Sequence, residues 1–270
     1  MAVERLEDSP LVDVALSQQD ADKLYKFYPD LGSDYLEYCP TCFKNQGEGV
    51  DGILEVDGKQ YICNCKDQLQ RYKHYLNAGI GITYQRLTWE DFVGDVNAKN
   101  YVLTWLQNLQ ENMMTGKGFI LFGPAGTGKT MLSALFLKQV VLRGIECYLT
   151  TSKSLIDDTK KGWNDPEFAD WHKTKISSAR ILVIDDLGKE LDSDKGNKYA
   201  KKQIENLLRV RTQQSRATIF TTNLDCPSGV EKVYGSYFVS LLTETCDLVS
   251  VSGSDYRHQA NAKRKLKRIY

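Results

Sequence analysis

Residues 123 to 130 read Gly-Pro-Ala-Gly-Thr-Gly-Lys-Thr, behind the apolar run Gly118 to Phe122 and ahead of the helical pattern Met131 to Leu142. A buried strand followed by a glycine-rich turn and a helix points free N–H groups and the positive end of the helix dipole at one spot, which suits phosphate oxygens. Gly123, Pro124, Ala125, Gly126, Thr127, Gly128, Lys129 and Thr130 are therefore the candidate nucleotide-binding loop. In such a loop Lys129 reaches the terminal phosphates of ATP and the hydroxyl of Thr130 holds Mg2+. A ligand-free glycine turn would account for the glycines but not for Lys129 and Thr130 standing in register with them.

Hydrolysis needs a carboxylate at the end of a second buried strand, where it holds the magnesium coordination sphere through water. Ile181-Leu-Val-Ile184 followed by Asp185-Asp186 supplies one. Asp185 is expected at the metal, and Asp186 is expected to polarise the attacking water. A third strand, Thr218-Ile-Phe-Thr-Thr, ends in Asn223, whose amide can orient that water. Each of these taken alone is also a common turn residue.

Four of the seven cysteines fall within 27 residues, as Cys39-Pro-Thr-Cys42 and Cys63-Asn-Cys65. Two thiolate pairs about twenty residues apart close a tetrahedron around Zn2+, and Asp57-Gly58 between them suits a hairpin turn. A zinc-ribbon-like module is expected, with reduced and unligated thiols as the alternative. Cys147, Cys226 and Cys246 lie in or beside apolar runs and read as small core residues.

The elements that must position these groups alternate between strand and helix. Gly118–Phe122, Cys147–Thr150, Ile181–Ile184, Thr218–Thr221 and Leu248–Val251 are five expected strands, separated by helical patterns at 129–143, 154–175, 197–213 and 229–242. Alternation of this kind builds a parallel sheet covered by helices on both faces, an α/β class. Before it lie an expected helix at 14–28 ended by Pro29, the cysteine module, and a second helix at 66–76. The expected domains are 1–76, an N-terminal helix plus the zinc-ribbon-like module; 77–98, a linker; 99–257, the ATP-binding domain; and 258–270, a basic tail.

The chain has 270 residues, 41% of them hydrophobic, with 35 Lys plus Arg balancing 35 Asp plus Glu. That is enough for a substantial core and excludes nucleic-acid binding by bulk charge alone. Lys263, Arg264, Lys265, Lys267 and Arg268 form one local basic patch, read equally as a contact or a solvated tail. No apolar run suits a membrane span, and the N-terminus lacks a signal-peptide pattern, so a soluble cytoplasmic protein is expected.

The set Gly123–Thr130, Ile181-Leu-Val-Ile-Asp-Asp-Leu-Gly188 and Thr218-Ile-Phe-Thr-Thr-Asn-Leu224 resembles the AAA+ ATPases that load the replicative DNA helicase in bacteria and phages. Residues 78–92 resemble the segment preceding the ATPase module in that family, and Asp255-Tyr-Arg257 its ending, where Arg257 would reach the nucleotide as a second sensor. The resemblance covers roughly 78–257. It implies a P-loop AAA+ fold with a reduced or absent helical lid, ATP and Mg2+ as ligands, and a hexameric helicase and single-stranded DNA as partners, with 1–76 as the partner-binding module. It also implies homo-oligomerisation on them. Leu24, Tyr25, Phe27 and Tyr28 are candidate helicase contacts, although an aromatic stripe also packs against its own domain.

One position departs from the family pattern. Leu241 stands where the resemblance expects an arginine that enters a neighbour's ATP site, which implies weak intrinsic hydrolysis. Arg209, Arg211 or Arg216 could substitute, or could serve as helix caps or ion-pair partners. Trp163, Phe168 and Trp171 lie among Lys153, Lys160, Lys161, Lys173 and Lys175, a pattern fitting either DNA contact or an amphipathic helix on the sheet. The first functional reading is a helicase loader. A transposition helper ATPase acting on duplex DNA shares the same motifs, and a zinc-dependent interaction module with a decayed ATPase is the third.

Overall fold

The apolar runs of the sequence become the strands of one sheet, its three central strands buried on both faces and its two edge strands partly open. The computed structural model describes residues 4–5, 53–56, 58–62, 74–85, 87–191 and 197–257. Strands β4 (Gly118–Phe122), β5 (Cys147–Thr151), β6 (Ile181–Leu187), β7 (Ala217–Thr222) and β8 (Cys246–Ser250) pair in the order β5-β6-β7-β4-β8, all parallel. Three short strands precede them: β1 (Glu4–Arg5), β2 (Ile53–Val56) and β3 (Lys59–Ile62). Val56 pairs with Lys59 across the expected turn, where Gly58 has a φ of 73°. β1 runs parallel to β3, a pairing with no signal in the sequence.

The helices are α1 (Ile82–Gln85), α2 (Val96–Gln107), α3 (Leu109–Thr115), α4 (Lys129–Val141), α5 (Ser152–Lys161), α6 (Pro166–Ser178), α7 (Asn197–Gln213), α8 (Ser228–Tyr234) and α9 (Ser236–Thr245). Two spans expected as single helices are each two. The 154–175 pattern breaks before Pro166, which opens α6 while the Asp165 carboxylate accepts the Phe168 N–H at 3.0 Å. The 229–242 pattern breaks at Gly235, whose φ of 93° a helix cannot accommodate.

Strand alternation divides the core. Phe119, Leu121, Val183 and Ile219 face α2 and α4, whereas Ile120, Leu182, Ile184 and Phe220 face a cluster that includes Ile204, Leu208, Phe238 and Leu242 from α7 and α9. On the first face Trp105, Phe119 and Phe136 meet edge to face, with centroids 5.1 to 5.9 Å apart. The segment expected as a linker joins this face. Ala78, Ile80 and Phe92 are buried in it, as is Tyr75 just before the segment, and the Leu149 N–H donates to Ala78 O at 2.9 Å along the β5 edge. Lys138 Nζ donates to the carbonyls of Gln85, at 2.8 Å, and Leu87, at 2.5 Å, which ties the segment to α4.

The cysteine pairs Cys39/Cys42 and Cys63/Cys65, the expected helix at 14–28 with Leu24, Tyr25, Phe27 and Tyr28, and the tail 258–270 lie outside the described residues. Among the described residues no cluster of three or more His, Cys, Asp or Glu could hold a metal. No helix among them is long and apolar enough to cross a membrane.

Candidate functional site

The loop 123–130 leaves the C-terminal end of β4 and enters α4, as the strand-to-helix spacing requires. Gly126 and Gly128 occupy the left-handed region, with φ of 81° and 95°. Both need glycine for conformation; a Cβ at Gly128 would also lie 2.8 Å from the buried Phe92 ring, whereas one at Gly126 would displace the exposed Asp255 carboxylate, 2.2 Å away. Thr127 is buried, and its hydroxyl staples the loop by donating to Pro124 O at 3.0 Å. Lys129 is also buried. Its Nζ donates to Gly123 O at 2.7 Å and Pro124 O at 2.6 Å. Burial pushes the Lys129 ammonium below its usual range; Asp186 and Asp185 oppose that, while Arg257 and Lys189 add to it.

The sheet order sets β6 beside β7 and β7 beside β4, which brings the acidic pair to the loop. Thr130 Oγ1 lies 3.0 Å from both oxygens of Asp185. Asp185 is buried, and burial pushes its carboxyl pKa up; hydrogen bonding from Thr221 counters this, Asp186 reinforces it, and Thr130 and Lys189 counter it further. Thr221 was not singled out in the sequence. Its hydroxyl donates to Asp185 Oδ1 at 2.5 Å and accepts from the Asp186 N–H at 2.9 Å, so one side chain orients both acids. The signal that could have found it is a hydroxyl near the C-terminal end of the strand that neighbours the one ending in the acids.

Asp186 has a φ of 57° and sits at the register shift between Ile184 and Leu187 in the β6–β7 ladder. Its carbonyl accepts from Ser152 Oγ at 2.8 Å, and its carboxylate pairs with Lys189 at 2.6 Å. Asn223 is exposed just beyond β7 and shares a cleft with Asp186, Gly188 and Lys189. Arg257 is exposed, and its charge is felt at Lys129.

Among the described residues no helical lid follows β8. Segment 251–257 turns back over the loop instead, with the Tyr256 N–H donating to Gly126 O at 3.1 Å. Asp95, the N-cap of α2, holds the start of that segment by accepting from Ser252 N at 2.9 Å and Ser252 Oγ at 2.5 Å.

Thr130 and Asp185 present hard oxygen donors about one cis edge of a magnesium octahedron apart, so the pair suits that ion. The model of the IstB-like ATP binding protein family matches residues 70–264. This chain belongs to the IstB-like ATP-binding family. An insertion-sequence IS21-like ATP-binding protein of Bacteroides fragilis is 26% identical to this family member over 164 residues. That match covers 57% of this chain and 59% of the relative, so the chain spans less than two thirds of that protein's length. The crystal structure of the DnaC helicase loader aligns with a TM-score of 0.54 at 25% identity, covering 64% of this chain and 100% of that one. Replication initiator DnaA, solved with AMPPCP and single-stranded DNA, shares the fold at 18% identity and a TM-score of 0.53, covering 70% of this chain and 56% of its own. The IstB-like chain thus carries the AAA+ fold expected from its motifs.

The remaining candidates separate on burial. Arg211 is only 2% exposed, and its guanidinium donates to Thr218 Oγ1, Ala179 O and Ala217 O at 2.8 to 2.9 Å, so it cannot reach a neighbour. Arg209 pairs with Glu205 at 3.1 Å and lies over the Tyr237 ring. Leu241 packs against the second core cluster. Phe168 and Trp171 are buried, the amphipathic-helix alternative, whereas Trp163 is 66% exposed and meets Tyr199 edge-on. Burial raises the thiols of Cys147 and Cys246 to about 12 and of Cys226 to about 11, consistent with unreactive packing roles.

Proposed function

We propose that this chain is an ATP-controlled adaptor that binds the replicative helicase and delivers it onto single-stranded DNA, hydrolysing ATP slowly. The observation that carries the ATP half is the Thr130 hydroxyl lying 3.0 Å from both Asp185 oxygens beside Lys129, an arrangement suited to a magnesium-bound triphosphate. Gly123 to Thr130 cradle the phosphates, Lys129 leaves the loop carbonyls for the terminal phosphates, and Arg257 approaches from segment 251–257. Thr130 and Asp185 would hold Mg2+, which supplies charge neutralisation when bound. Asp186 accepts a proton from the attacking water and Asn223 orients that water. Cys39, Cys42, Cys63 and Cys65 would hold Zn2+, which would tie together the helicase-binding module, and the chain would assemble as a homo-oligomer on helicase or DNA.

The helicase reading is supported by the alignment over the whole of the DnaC loader chain. A second reading, a helper ATPase that directs a transposase on duplex DNA, is favoured by the family and by the IS21-like relative. One experiment separates them: the full-length protein is tested for capture of a hexameric replicative helicase and for ATP turnover with single-stranded or duplex DNA. Helicase capture lost in Cys39→Ser supports the loader. No capture, together with stimulation by duplex DNA alone, supports the transposition helper.

A further inference from the structure

Lys189 lies three residues beyond the second acid, and its Nζ stands 2.6 Å from Asp186 Oδ2 with the lysine side chain 51% exposed. The backbone that carries this pair is held from several sides. Asp186 is fixed in a left-handed conformation by Ser152 on its carbonyl and Thr221 on its N–H. Glu190, buried just beyond, accepts from the Gly188 N–H at 2.9 Å and from the Tyr234 hydroxyl. A non-glycine residue keeps such a conformation only where its surroundings over-determine it, and such positions cluster at functional sites. The side chains of Asp186 and Lys189 are by contrast partly open, and they share their cleft with Asn223. Asp186 adjoins Asp185, whose carboxylate oxygens lie 3.0 Å from Thr130 Oγ1 of the phosphate loop, so the Asp186–Lys189 pair stands beside the phosphate end of the site.

We propose that Lys189 is a γ-phosphate ligand acting in cis, paired with Asp186 when no nucleotide is bound and shifting to the γ-phosphate oxygens when ATP binds. This rests on the ATP reading above. The exchange is favourable because a half-exposed ion pair contributes little, whereas a charge-assisted bond to phosphate is strong. It also couples two events, since the move that neutralises the γ-phosphate leaves the Asp186 carboxylate free. In the reaction the water oxygen bonds to Pγ as the bond from Pγ to the β,γ-bridging oxygen breaks. That electron pair leaves with ADP, and the water proton passes to Asp186 and then to solvent. Lys189 thereby supplies within the chain a cation that Leu241 does not.

The test uses the full-length protein and measures affinity, by displacement of a fluorescent ADP analogue, for ADP and for the slowly hydrolysed ATPγS. Lys189→Ala is expected to reduce the preference for ATPγS over ADP about tenfold while ADP affinity changes less than about twofold, and Lys189→Arg to retain the preference. Asp186→Asn, which releases the lysine, is expected to strengthen ATPγS binding. Lys189→Ala combined with Asp186→Asn is expected to stay as weak for ATPγS as Lys189→Ala alone. An unchanged preference in Lys189→Ala overturns the proposal, and so does a double variant that regains the wild-type preference, because Lys189 would then only mask a negative charge. If the wild-type protein binds neither nucleotide, the ATP reading fails and this proposal with it. Binding of both with no dependence on Lys189 removes this proposal alone.

Discussion

Thr221→Val probes how the acidic pair is held. Thr221 is fully buried, and its one hydroxyl both donates to Asp185 and accepts from the Asp186 N–H. Valine keeps the shape and removes both bonds. The bond to the carboxylate contributes about 1.5–3 kcal/mol, and a buried N–H left without an acceptor costs about 1–3 kcal/mol. Because the two share an atom they do not add in full, and a total of about 3 kcal/mol is expected. For a domain of this size that lowers Tm by about 6–12 °C. Thr221→Ser keeps the hydroxyl and loses one methyl, at about 1 kcal/mol.

The effect depends on pH in a defined direction. Burial raises the Asp185 carboxyl, and the Thr221 hydrogen bond is the main force lowering it again, so the valine variant holds its proton to higher pH. A carboxyl whose folded pKa exceeds its unfolded value makes the native state less stable as pH rises between the two. The variant therefore loses more than the wild type above that window, and the gap narrows on acidification toward the unfolded value of about 4. Urea unfolding of the valine and serine variants at about pH 8 and about pH 4.5 measures this. A valine variant within about 0.5 kcal/mol of wild type at the higher pH, or a deficit equal at both, would refute the reasoning.

Gly126→Ala puts a Cβ at a φ of 81° and displaces the Asp255 carboxylate, and ATP affinity measured by calorimetry should fall about tenfold or more as the strained loop shifts. Leu241→Ala, at a partly buried position, should cost about 1–2 kcal/mol in chemical denaturation and leave ATP turnover per folded molecule unchanged; abolished turnover would put Leu241 in the machinery. Arg211→Met strands several carbonyls and should destabilise by about 3 kcal/mol or more, again without changing turnover, which eliminates this arginine as a residue acting in trans. Metal analysis of the purified protein should find about one zinc per chain, lost in Cys39→Ser and on chelation; a metal-free wild type would remove the zinc module.

Much of the site was legible because its chemistry demands neighbours in sequence. A phosphate loop is eight contiguous residues, and the acids must follow a buried strand directly, so Gly123–Thr130, Asp185 and Asp186 stand out by spacing and apolar context. The same strand signals predicted a five-stranded parallel sheet, because runs buried on both faces leave a long hydrophobic trace. Helix breaks at Gly235 and before Pro166 were present in the letters but were outweighed by the periodicity around them.

Tertiary structure decided what joins distant positions. The order β5-β6-β7-β4-β8 and its register put Thr221 under both acids, a contact that no local pattern announces. The Asp95 carboxylate meets Ser252 across 157 positions, and with it segment 251–257 comes to lie on the loop. Burial divided the aromatic candidates, taking Phe168 and Trp171 inside and leaving Trp163 out, and it enclosed Arg211 while leaving Lys189 half-exposed on Asp186. Spacing along a chain names the groups able to do chemistry, but their ionisation and partners depend on desolvation and on which side chains face each other across the sheet, and those arise only when the strands pair.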